Sequence, residues 1–162
     1  MKKNTIALIC LFLLLIALSI ILWFSKDQNY IPYIAVGASI VALYFSLVKY
    51  WMDSDAFFKS LFESLNKRFD ELNEDLNLVA KGNPPITKSK LEEVIQDYLN
   101  LCAEEYFWYK KDRIHENVWN SWVEGISYYL ENADIKNYFQ KESSYSKSYY
   151  GFLDFLKRNN KL

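Results

Sequence analysis

The fold turns on the stretch Tyr98-Leu-Asn-Leu-Cys-Ala-Glu-Glu-Tyr-Phe-Trp-Tyr-Lys-Lys-Asp-Arg-Ile-His-Glu-Asn-Val-Trp-Asn-Ser-Trp-Val-Glu-Gly-Ile126, which holds three of the five tryptophans and the only histidine. Laid out at about 100° per residue, it reads as two amphipathic helices joined by a short polar turn. In the first, Leu91, Val94, Ile95, Tyr98, Cys102, Tyr106 and Tyr109 share a stripe, opposite Glu93, Gln96, Asp97, Asn100 and Glu104. Two residues break the pattern: Glu105 lies in the apolar stripe and Phe107 on the polar face. In the second, Val118, Trp119, Trp122, Val123, Ile126, Tyr129 and Leu130 share a face, flanked by Gly125, whose expected use is close helix approach. The turn Lys110–His115 puts cations at the first helix's C-terminus, where they suit its dipole. Asp112 or His115 is positioned to cap the second helix, and aspartate is the better cap.

Working outward, Lys81-Gly-Asn-Pro-Pro85 reads as a hinge over residues 81–87, and Ser89 with Glu92 as a capping box opening the first helix. Before the hinge, Phe58, Phe62, Leu65, Phe69, Leu72, Leu76 and Val79 alternate spacings of 4 and 3 along a helical stalk over 52–80. This seam fits a coiled coil joining copies of the chain. It fits equally an ordinary helix packing on its own domain. Further back are two apolar runs, 5–24 and 31–51, each near the roughly 20 residues needed to cross a bilayer. The first is too long for a signal peptide's apolar core and lacks a small-residue cleavage site. Trp23, Tyr30 and Tyr33 mark one edge and Tyr50 and Trp51 the other, as aromatic belts do. The runs are expected to form a transmembrane hairpin, with 35/39 and 38/42 as small-residue pairs for packing. The link between them carries only Lys26, whereas Lys2, Lys3, Lys49, Lys59, Lys67 and Arg68 lie on the other side. The positive-inside rule then puts both termini in the cytoplasm of an inner (plasma) membrane.

The tail after Leu130 is expected to hold a short helix capped by Asp134, a serine-rich loop over 142–148, and a final helix over 149–159. Residues 88–162 would thus form one cytoplasmic helical domain. Charge divides within the cytoplasmic part: 9 Lys/Arg against 17 Asp/Glu over 52–135, but 6 against 2 over 136–162. The acidic part repels phosphate backbones, which argues against nucleic acid as a partner. The basic tail is expected to pack across the acidic helices, with Phe152 or Phe155 reaching over Phe107. Contact with anionic lipid is the second reading of the tail, and RNA stacking a third.

Few residues suggest chemistry. Cys10 and Cys102 lack a CxxC neighbour, so neither a metal nor a cofactor is expected. Adjacent pairs such as Glu104/Glu105 point about 100° apart and cannot act as a carboxylate dyad. No phosphate-binding glycine motif is present, and His115 has no nucleophile beside it in sequence. No catalytic residue is assigned, and the chain reads as non-enzymatic. Glu105 nevertheless needs a partner, because an unpaired buried carboxylate is costly. Arg113 or His115, across the turn, is the expected partner in a structural ion pair.

The segments Tyr98–Tyr106, Tyr109–Ile114 and Val118–Ile126 resemble a loose group of small, uncharacterised bacterial membrane proteins with N-terminal spans and a cytoplasmic helical domain. That pattern often has Gly where Asp112 stands here. It assigns no catalytic residue, so none is carried over. Some of the group lie near phage-defence genes, which implies an effector role. The expected fold is all-α. The expected function is a membrane-anchored interaction or signalling module, whose partners are membrane lipid and either a protein or further copies of the chain. The alternative is a membrane-perturbing effector or toxin acting by oligomerisation of its spans.

Overall fold

The computed structural model describes residues 3–24, 30–83 and 87–162. All regular structure among them is helical: α1 (Lys3–Phe24), α2 (Ile31–Ala80), α3 (Lys88–Lys110), α4 (Glu116–Tyr129), α5 (Ala133–Glu142), a 3-10 helix (Ser143–Tyr149) and α6 (Phe152–Arg158). Lys26 in the link and Pro84-Pro85 in the expected hinge lie outside the described residues. The chain divides into two units, Met1–Phe57 and Phe58–Leu162.

The first unit contains α1 and the apolar part of α2. Large apolar side chains, among them Phe12, Leu13, Trp23, Ile31, Leu43 and Phe45, are exposed along both. Helix α2 is long and apolar enough to cross a membrane, while the described apolar stretch of α1, Leu8–Trp23, is shorter. Three serines here bond to their own helix: Ser19 donates to the Leu15 carbonyl, Ser39 to Ala35 and Ser46 to Ala42, at 2.8–2.9 Å. Such i−4 bonds satisfy these three hydroxyls in an apolar medium. Close approach of α1 and α2 occurs at Gly37, where a methyl group would come within 3.3 Å of Leu18 Cδ2. Ala38 and Ala42 of the expected small pairs line a groove beside Gly37 together with Leu15, Leu18 and Leu22 of α1.

The second unit is built around α3. Its expected stripe is buried from Val94 to Tyr106, with Leu91 and Tyr109 half-buried at its ends, but Leu99, Leu101 and Ala103 on other faces are buried too. A helix buried on several sides is a central helix, enclosed by α2, α4, α5 and α6. The α4 face is as expected, with Trp119 2% exposed, though Trp122 is only half-buried. Gly125 is exposed and has open space where its Cβ would stand, so it mediates no close approach.

The seam of α2 belongs to this unit. Leu65, Leu76 and Val79 are core residues, and Phe69 and Leu72 pack against that core. The Phe62 ring stacks on Trp122 at 5.9 Å, Phe58 meets the His115 ring at 5.0 Å, and Phe69 meets Tyr129 edge-on at 6.3 Å. From Phe58 onward, the 52–80 segment is therefore a domain helix, not a separate stalk. The aromatic rings along its seam are satisfied within the chain.

Three helices end with the same left-handed turn. Gly82 (φ 75°), Asp112 (φ 55°) and Asn160 (φ 54°) follow α2, α3 and α6. In each case the next residue's N–H reaches back five positions: Asn83 to Leu78, Arg113 to Trp108 and Lys161 to Leu156. Asp112 thus terminates α3 rather than capping α4. His115 holds the α4 cap position without a side-chain cap bond. Helix α3 starts earlier than Ser89: Thr87, in an extended conformation, accepts from the Lys90 N–H at 3.2 Å. Asn132, not Asp134, caps α5, accepting from Asp134 and Ile135 while its amide donates to the Val79 carbonyl at 2.8 Å. The serine-rich segment winds into the 3-10 helix, with Tyr145 out of helical geometry.

Candidate functional site

The two residues that break the pattern of α3 lie next to its most polar neighbourhood. Glu105 is 7% exposed, in a file with Cys102 and Tyr98. Its carboxyl is pushed up to about 8, chiefly by burial, with the Glu104 charge adding and the Arg68 charge opposing. The same burial, with Glu105 nearby, drives the Tyr98 hydroxyl and the Cys102 thiol upward. A cation acting on Glu105 is Arg68 of α2, a residue the sequence reading did not pair with it. His115 is turned toward Phe58. Arg68 itself bonds to Glu104, in a pair with side chains 42% and 39% exposed. Burial thus favours the protonated acid of Glu105 at neutral pH, beside a half-buried Arg68–Glu104 pair.

Phe107 is half-buried, and the tail does reach it, but through Tyr150: the two rings lie 5.0 Å apart at 49°. Phe152 and Phe155 pack elsewhere, on Tyr106 and Trp119. The reason is the break in the tail. Tyr150 (φ 54°) and Gly151 (φ 84°) are both left-handed, which separates Tyr149 from α6 and turns Phe152 inward. Tyr149 is buried, and its hydroxyl donates to Glu142 Oε2 at 3.0 Å. Burial and that bond push it up to about 12. Lys111 sits over the Phe107 ring at 5.7 Å.

Beside these groups opens a cavity of about 440 Å³, lined among others by Arg68, Asn100, Glu104, Phe107, Trp108 and Tyr150. It offers hydrogen-bond donors, acceptors and aromatic surface from α2, α3 and the tail. Of these groups only Phe107 was singled out as a site residue in the sequence. Arg68 flanks the seam beside Leu65 and Phe69, a position that commonly carries a pairing charge, and that was its one local signal. Tyr150 is one tyrosine among several in the tail and carries none.

Among the described residues no group of three or more His, Cys, Asp or Glu side chains could hold a metal ion. No protein-family model, curated protein or solved structure matches the chain.

Proposed function

We propose that the chain is a membrane-anchored, non-enzymatic interaction or signalling module, held by an α1–α2 hairpin with its helical domain in the cytoplasm. The supporting observation is α2. One uninterrupted helix carries an exposed apolar stretch and then the seam that enters the domain core. A helix shared in this way is suited to link events at the domain to the lipid-embedded segment. The lysine asymmetry favours cytoplasmic termini in the inner membrane. Lipid surrounds the apolar helices, and a protein or a further copy of the chain engages the domain.

Reporter fusions at residue 28 and after residue 162 test the anchoring. The expected result is a periplasmic signal from the first and a cytoplasmic signal from the second. A cytoplasmic signal at residue 28 overturns the hairpin. Membrane potential during expression separates this reading from the effector alternative, which the exposed apolar faces of α1 and α2 also suit. A tolerated, polarised host supports the module, whereas depolarisation supports an effector.

A further inference from the structure

The contacts of α2 within the second unit run in a fixed order. The Asn132 amide donates to the Val79 carbonyl, and the Tyr129 hydroxyl reaches Asn77 and Asn73. Phe69 meets Tyr129, Phe62 stacks on Trp122, and Phe58 lies against His115. Passing from Val79 back to Phe58 along α2 therefore also passes from the end of α4 back to its N-cap. Helix α3 runs the opposite way to α4, with Glu104 bonded to Arg68 and the Lys110–His115 turn beyond it. That turn thus lies at the Phe58 end of the unit. Phe58 comes seven positions after Trp51, the last residue of the second apolar run, and every residue between them is helical. At a rise of about 1.5 Å per residue, this length of helix spans no more than about 10 Å.

Charge follows the same axis. The turn exposes Lys110, Lys111, Arg113 and His115 against Asp112 and Glu116, a net +1 over 110–116 with the histidine neutral. The tail segment that reaches Phe107, 143–150, adds Lys147 and no acid. These two segments are net +2 in a unit that holds 15 Lys/Arg and 17 Asp/Glu over 58–162. At the opposite end, beside Val79, stand Glu131 and Asp134, with Lys81 as the nearby cation. Lys110 and Lys111 enter no ion pair among the described residues, and their ammonium groups lie over Tyr106 and Phe107 at 5.6 and 5.7 Å. On α2 near the apolar run, Asp53 and Glu63 are each paired with a lysine, which leaves Asp55 as the opposing acid there. Basic side chains interleaved with an exposed tyrosine, here Tyr150 on Phe107, suit the headgroup layer of a bilayer, where an anionic leaflet attracts nearby Lys and Arg. We propose that the Lys110–His115 turn is a lipid-contact site, whose cations engage the anionic headgroups of the leaflet from which α2 emerges. The proposal rests on reading α2 as a membrane anchor.

The test places a bimane label on the full chain in lipid nanodiscs and measures its quenching by a lipid with a nitroxide on the headgroup. Cys10→Ser removes the exposed native thiol, and Cys102 is fully buried. One label goes on Asn117→Cys beside the turn and another on Glu131→Cys at the opposite end, both at exposed positions. In phosphatidylglycerol nanodiscs, quenching at 117 should exceed that at 131 by at least about threefold, since headgroup attraction acts only within a Debye length. It should fall by at least about half in phosphatidylcholine, and equally in Lys110→Gln/Lys111→Gln/Arg113→Gln, because the attraction needs both signs of charge. The phosphatidylcholine comparison uses the unaltered turn, so it stands whatever the triple variant does to folding. Equal quenching at 117 in the two lipids would overturn the proposal, leaving the turn near the bilayer by its tether alone. Stronger quenching at 131 would put the wrong end on the membrane and overturn it too. Quenching at neither position in a chain held by the nanodisc would overturn the lipid contact and leave the anchor standing. A chain that does not enter nanodiscs would overturn the anchor, and the contact with it.

Discussion

Asp112 holds a left-handed conformation that only glycine adopts without strain. Left-handed geometry costs an L-residue about 1–2 kcal/mol, somewhat less for aspartate. Asp112→Gly should therefore raise stability by roughly 0.5–1 kcal/mol, read as the urea midpoint of the full chain in detergent. A lower midpoint would mean that the Asp112 carboxylate has a role its backbone does not reveal. Glu105 gives a prediction of opposite kind. Its folded pKa of about 8 lies above the 4.5 of the free acid, so the folded state keeps a proton that the unfolded chain has released. Stability should then fall as pH rises between those values, by at most about 1.4 kcal/mol per pH unit. Glu105→Gln should flatten that slope and stabilise the protein most near pH 8. An unchanged slope in the variant would assign the titration to another group.

Helix α2 spends its seam inside the chain. Leu76 is fully buried within it, so Leu76→Ala should cost about 2–5 kcal/mol. That loss should not depend on protein concentration, because the core that Leu76 enters belongs to the same chain. A midpoint that rises with concentration would show the seam joining copies instead. On α4, the two tryptophans should separate. Trp119, 2% exposed among Tyr106, Tyr109, Phe152 and Phe155, should cost about 3–5 kcal/mol on truncation to alanine. Trp122→Ala should cost less, because that ring stacks on Phe62 with part of its surface in water. Equal losses would mean that the Phe62 contact is worth as much as full burial.

Across the whole molecule, the tail is part of the core. Phe152, Leu153 and Leu156 are fully buried, and Lys161 donates to the Ser127 hydroxyl of α4. Deleting residues 144–162 should expose Phe107 and the ring cluster on Trp119, detected as hydrophobic-dye binding or aggregation. A deletion variant that melts like the parent would make the tail an appendage. The helices themselves, the two apolar runs and the buried faces of α3 and α4 were legible in the sequence, since 3.6-residue periodicity and apolar length are local properties. So were the anomalies: Glu105 and Phe107 stood out because each breaks its helix's pattern. Their partners were not legible. Arg68 lies 36 positions before Glu104 along the chain, and which helix brings it there depends on how four helices close around α3. The coiled-coil spacing of α2 suits a partner helix of any origin, so only the packed core shows that its own domain fills it. Tyr150 lies on Phe107 in place of Phe152 because two consecutive left-handed residues redirect the tail. At Tyr150, no residue preference announces such a backbone, and tertiary contacts on both sides impose it.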